Sequence, residues 1–64
     1  MDTYRNKVNT SNPREIILFI ETRHPELKGL CIYDDMQLKS LDEKRALFHF
    51  DPIHKVVQVK IFNN

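Results

Sequence analysis

The sequence predicts an α+β fold, with one N-terminal amphipathic helix laid across a three-stranded antiparallel β-meander. Three observations carry that prediction. Asn12-Pro13-Arg14-Glu15 is a helix-start signal followed by an apolar run over residues 16–20. Gly29 introduces Leu30-Cys31-Ile32-Tyr33, a short apolar stretch of strand type. Residues 46–62, ALFHFDPIHKVVQVKIF, read as two strands joined by a turn at Asp51-Pro52 and hold the densest set of β-branched and aromatic residues in the chain.

Residues 1–11, MDTYRNKVNTS, are polar with isolated Tyr4 and Val8 and carry no helical or strand period of any length. A flexible tail is the default expectation, with a short added edge strand around residues 4–8 as the alternative. At Asn12 the pattern changes. Asn12 supplies a capping side chain, Pro13 fits the first helical position, and Glu15 stands where a capping box places its acid. The helix is expected over about 13–24, ending where Pro25 disfavours helical backbone at the residue before it. Ile16, Ile17, Phe19, Ile20 and His24 would form its apolar stripe. A buried strand competes over residues 16–20, because the run includes three β-branched isoleucines; the start signal favours the helix.

Gly29 gives the exit turn a permissive backbone, and the first strand is expected over about 30–38. Asp34 and Asp35 interrupt it, with Met36 and Leu38 resuming the alternation across a bulge. The segment KSLDEKR (39–45) reads equally as a turn or as one or two helical turns capped by Ser40, since Ser-Leu-Asp-Glu matches a capping box. The second and third strands are expected over about 45–50 and 55–62. Asp at the start of the turn and Pro after it favour a reversal there. A four-residue loop, 51–54, would set Phe50 opposite Lys55, Phe48 opposite Val57 and Ala46 opposite Val59. One face then carries Ala46, Phe48, Phe50, Val57, Val59 and Ile61, the expected core; the other is mixed.

The 64 residues make a single small domain, and a chain of this size buries only about 60% of its unfolded surface. A core that small invites a disulfide, a metal or a partner as a supplement. One cysteine excludes an internal disulfide and fits a reducing, cytoplasmic setting. No apolar run spans a membrane and residues 1–12 lack a signal-peptide pattern, so a soluble protein without a membrane partner is expected. Ten basic and nine acidic residues give a formal net charge of +1, without the basic run that marks a dedicated nucleic-acid binder. The single glycine rules out a glycine-rich phosphate loop.

Catalytic constellations are thin. His24, Cys31, His49 and His54 suffice in number for zinc, but their spacing forms no compact ligand pair. Asp34 and Asp35, with Asp42 and Glu43, read as solvated turn carboxylates, since neighbours on a strand point to opposite faces. The strings Glu26-Leu27-Lys28 and Asp42-Glu43-Lys44 are too short to imply a nuclease centre, and the chain is small for the cleft one needs. Cys31 lies among apolar residues, where a thiol packs rather than reacts, and Ser11 and Ser40 have capping roles. The expectation is therefore no enzyme activity, no cofactor and no metal.

What remains is a contact surface. The mixed hairpin face carries Arg45, Leu47, His49, Val56, Gln58, Lys60 and Phe62. The strand over 55–62 comes last in the sequence and reads as a sheet edge with unpaired backbone groups. The leading expectation is a small protein-interaction module, a regulator or inhibitor that binds a larger protein through this edge or face, with pairing to its own copy as a homodimer. The alternative is a nucleic-acid-binding module using Arg45, Lys60, Lys55 and Lys44 as a basic patch, with Phe62 for stacking.

Overall fold

The structure is a computed structural model that describes residues 2–62; Met1 of the expected tail, and Asn63 and Asn64, lie outside the described residues. In chain order the elements are β1 (Asp2–Lys7), α1 (Pro13–Arg23), a 3-10 turn (Pro25–Leu27), β2 (Cys31–Asp34), β3 (Gln37–Ser40), β4 (Ala46–Asp51) and β5 (Val56–Ile61). The fold is α+β, as the sequence predicts, but its strands are laid out differently. A three-stranded antiparallel sheet runs in the order β1-β5-β4, and β2 pairs with β3 as a separate two-stranded sheet.

The helix forms where its start signal stands. The Asn12 side chain accepts a hydrogen bond from the Arg14 N–H at 2.9 Å, and Pro13 opens the first turn. Glu15 does not close the capping box directly. Its carboxylate accepts from the Thr10 hydroxyl, and Thr10 in turn accepts from the Asn12 N–H at 3.0 Å, so threonine relays the contact. The helix ends at His24, whose N–H still reaches the Ile20 carbonyl at 2.8 Å before Pro25 diverts the chain. Gly29 adopts φ +83, a left-handed conformation that costs glycine least, and its N–H is held by Glu21 at 2.8 Å.

Ile16 and Ile20 are buried and Ile17 and Phe19 pack beside them, which gives the predicted stripe. They share one core with Val8, Leu27, Cys31, Leu38, Ala46, Phe48, Val57 and Val59. The hairpin face predicted to be apolar is thus the face that the helix and the β2–β3 pair cover.

Five sequence expectations are corrected. The expected tail is instead an edge strand, the alternative reading around residues 4–8, and it spans Asp2–Lys7, paired antiparallel to β5 with Tyr4 opposite Val59 and Asn6 opposite Val57. Its own apolar pattern is sparse, and the ladder along β5 supplies what the pattern lacks. The strand expected over 30–38 is a hairpin: Asp34 closes against Gln37, and the two residues between, Asp35 (φ 51) and Met36 (φ 61), both take the positive φ of a type I′ turn. β3 then runs beside β4, with no backbone hydrogen bond between them among the described residues, so the meander is not one ladder.

The β4–β5 register is shifted by two residues, with Ala46 opposite Ile61, Phe48 opposite Val59 and Phe50 opposite Val57. The loop is 52–55 because Asp51 accepts from the N–H groups of Ile53 (2.9 Å) and His54 (3.3 Å), and Lys55 sits at φ 52, unsuited to a strand. A shift of two preserves side-chain parity, so both faces keep their predicted members. Finally, β5 is the central strand of its sheet and not an edge.

Residues 41–45 form a turn centred on Asp42 rather than a helix capped by Ser40. The Asp42 carbonyl accepts from the Arg45 and Ala46 N–H groups, and its side chain accepts from Lys44 N–H at 3.1 Å. Among the described residues no helix is long and apolar enough to cross a membrane.

Candidate interaction surface

Cross-strand partners share a face, so the two ladders fix the outer face of the three-stranded sheet as a grid. One row is Thr3, Lys60 and Leu47; the next is Arg5, Gln58 and His49; the third is Lys7, Val56 and Asp51. Columns stand about 4.8 Å apart and rows about 6.8 Å. Phe62 continues the central column beyond Lys60, its N–H donating to the Arg45 carbonyl at 2.9 Å.

The helix and the β2–β3 pair lie on the opposite side, and among the described residues no element covers this face. Two shallow concavities mark it. One of about 330 Å³ is lined by Leu47, Phe48, His49, Gln58 and Lys60. The other, about 390 Å³, is lined by Arg5, His49, Asp51, His54, Val56 and Gln58. An apolar cleft of about 300 Å³ lies elsewhere, where Ile16 meets the β2–β3 tip and Phe48, Phe50 and Pro52.

Six of the seven residues named from the sequence sit on this face. Leu47 is 37% exposed, His49 is exposed, and Val56, Gln58, Lys60 and Phe62 are half-buried between flanking strands. Arg45 behaves differently: its guanidinium donates to the Glu26 carbonyl at 3.1 Å, which ties it to the 3-10 turn. Of the other cations expected in a basic patch, Lys44 lies in the Asp42 turn and Lys55 in the hairpin loop.

Sequence reasoning missed Thr3, Arg5 and Lys7, which complete the grid. Their signal was the alternation of Tyr4, Asn6 and Val8 against Thr3, Arg5 and Lys7, too slight with two apolar residues to declare a strand. Arg5 is anchored in the face by its Nε, which donates to Gln58 Oε1 at 3.0 Å. The result is a segregation of charge that net charge conceals. Every acidic residue other than Asp2 and Asp51 lies outside β1, β4 and β5, while Arg5, Lys7 and Lys60 stand together on the open face.

Asp51 is engaged at the corner of the grid. Its Oδ2 lies 2.7 Å from His54 Nδ1, and that hydrogen bond is the main cause that holds its carboxyl below the usual range; desolvation opposes it, and the hydrogen bonds from the His54 and Ile53 backbone add to it.

The chemistry-bearing residues outside the face are dispersed. Cys31 is buried in the core, where desolvation, reinforced by the charge of Glu21, pushes its thiol up to about 12. His24 stacks obliquely on Tyr4, ring centres 4.9 Å apart, and faces Glu26 at 3.7 Å. Asp34 pairs with Lys39 across the β2–β3 hairpin at 3.7 Å. Among the described residues no group of three or more His, Cys, Asp or Glu side chains is placed to hold a metal. Comparison of the chain with family models, curated proteins and solved structures returns no match.

Proposed function

We propose that the protein is a small non-enzymatic interaction module, a regulator or inhibitor that works by laying the open face of β1-β5-β4 against a larger protein. The observation that supports this reading most is the composition of that face. It places Leu47 and Phe62 near Lys60 at one end and Val56 beside Lys7 at the other, with Arg5 between, and no described element lies over them. Apolar side chains left uncovered among cations on one face favour contact, and the cations orient a partner of opposite charge. The test places a photo-crosslinking residue at Gln58, in the centre of the face, or at Leu18, 64% exposed on the outer side of the helix. A discrete crosslinked protein at Gln58, absent at Leu18 and lost on Leu47→Glu, is the expected result. Equal crosslinking at both sites, or none at either, contradicts the reading.

Nucleic-acid binding is a second reading, favoured by an open face that carries, among the described residues, Arg5, Lys7 and Lys60 against the one carboxylate of Asp51. It requires affinity for DNA or RNA that falls steeply with salt, roughly 0.9 log units per log unit of salt for each duplex phosphate contacted. The face offers little for base stacking beyond His49 and Phe62, which places this reading second.

A further inference from the structure

The outer edge of β1 has a property that the open face alone does not reveal. In an antiparallel ladder, residues that exchange hydrogen bonds with the neighbour alternate with residues whose backbone groups point away. The Val8 N–H donates to the Lys55 carbonyl at 2.9 Å, which places Val8, Asn6 and Tyr4 in the bonded set toward β5. Phe62 N–H donating to Arg45 fixes the complementary set on β5, so residues 56, 58 and 60 bond to β4 and residues 57 and 59 to β1. The two assignments agree. The N–H and C=O groups of Thr3, Arg5 and Lys7 therefore point outward from the sheet. Among the described residues, no backbone hydrogen bond outside the ladder reaches them.

The other flank of the sheet differs, because β3 runs alongside β4. The side chains on the two faces of β1 also differ. Arg5 and Lys7 rise on the open face, with no carboxylate partner among the described residues. Tyr4 lies on the core side, 41% exposed and braced by the His24 ring.

We infer that this edge receives an extended acidic segment of a partner protein as a fourth strand, with carboxylates at alternate positions beside Arg5 and Lys7 and an apolar side chain beside Tyr4. The inference rests on the interaction-module reading and specifies the partner's chemistry. Strand addition uses main-chain hydrogen bonds for affinity and alternate side chains for selection. Here the selecting side chains are two cations two residues apart, matching acids at the same spacing.

A second copy of this chain fits poorly. The antiparallel register that engages all three outward-facing residues sets Arg5 against Arg5 of the other copy. A shift by two residues sets Arg5 against Lys7 in one direction, while in the other it pairs Thr3 with Arg5 and leaves Lys7 beyond the described ladder. Like charges directly opposite destabilise a strand pair, and the last register gives up part of the ladder. A nucleic-acid strand would answer the charges and leave the free amides unused.

The experiment titrates the full ¹⁵N-labelled chain with a synthetic peptide of four Glu-Val repeats. The comparison probes are a four-repeat Lys-Val peptide, a Glu-Val peptide N-methylated at alternate residues, and oligothymidylate. The Glu-Val peptide is expected to saturate with its largest shifts at the Thr3, Arg5 and Lys7 amides. Its affinity should fall about tenfold or more in Arg5→Gln/Lys7→Gln, and remain unchanged in Lys44→Gln. N-methylation on the bonding edge should abolish binding. Equal affinity for the Lys-Val peptide, indifference to N-methylation, or no saturable shift at millimolar peptide overturns the inference, leaving Arg5 and Lys7 as guards of a closed edge. Shifts from oligothymidylate confined to His49, Gln58 and Lys60, with none from the peptide, overturn it in favour of nucleic acid. Crosslinking at Gln58 without peptide binding rejects the edge inference alone; absence of both rejects the interaction-module reading as well.

Discussion

Truncating adjacent residues of β4 tests the face assignment on which everything else depends. Phe48 is 8% exposed and packs opposite Val59, whereas Leu47, one residue earlier, is 37% exposed and stands opposite Lys60. Phe48→Ala removes a buried ring and leaves a cavity, a change that costs about 3–5 kcal/mol. A domain of 64 residues has a total stability of roughly 3–10 kcal/mol at about 0.05–0.15 kcal/mol per residue, so this variant loses most or all of its margin. Val59→Ala gives a graded version. Val59 is 2% exposed, and losing two methyl groups at about 0.8 kcal/mol each, with a small cavity, costs about 1.5–2.5 kcal/mol. Leu47→Ala deletes a side chain from the open face and costs less than about 1 kcal/mol. Urea unfolding followed by far-ultraviolet circular dichroism reads the order through shifts in midpoint at constant slope. A Leu47→Ala loss equal to or larger than that of Val59→Ala would mean that the open face is covered, and would refute the assignment.

Further predictions concern single sites. Cys31, buried and with its thiol pushed up to about 12, should react with a disulfide reagent at neutral pH only as fast as the protein opens, accelerating when urea unfolds it; full labelling of the native protein within seconds would contradict its burial. The β2–β3 turn holds Asp35 and Met36 at positive φ, so Asp35→Asn/Met36→Gly, the preferred type I′ pair, should raise stability by about 0.5–1.5 kcal/mol, read as a higher urea midpoint. Asp51 has its folded pKa below the unfolded value of 3.8. Its contribution is fully present above that pH and is lost as pH falls through the folded pKa. Acid titration of stability should therefore show a decline below about pH 4 that Asp51→Asn lacks, and identical acid profiles would exclude a role for the Asp51–His54 contact in holding the loop.

The legible parts of the fold are those whose physics is local. Asn12 and Pro13 announce the helix because capping and proline geometry act within one turn of chain. The hairpin faces follow from a period of two, which survived a register error because that error was also two. Register itself escaped, since it depends on Asp51 folding its carboxylate over the loop amides and on Lys55 accepting a left-handed conformation that lysine does not advertise. The β2–β3 turn escaped for the same reason, with no glycine to mark it. β1 was hardest: Tyr4 and Val8 say little alone, and the strand exists because β5 offers a ladder. The contact surface inherits this division. Its hairpin half could be read from the period of two, while Arg5 and Lys7 entered only with β1, and the Arg45 guanidinium is turned to the Glu26 carbonyl by a contact 19 residues away in sequence.

The free edge of β1 is the feature on which the open face and the partner's chemistry both depend, and amide hydrogen exchange tests it directly. Exchange measured residue by residue at neutral pH should alternate along the strand, with Tyr4, Asn6 and Val8 protected by the β5 ladder and Thr3, Arg5 and Lys7 exchanging rapidly into solvent. Rapid exchange at all six would return the segment to a mobile tail, and protection at all six would mean that the edge is already covered.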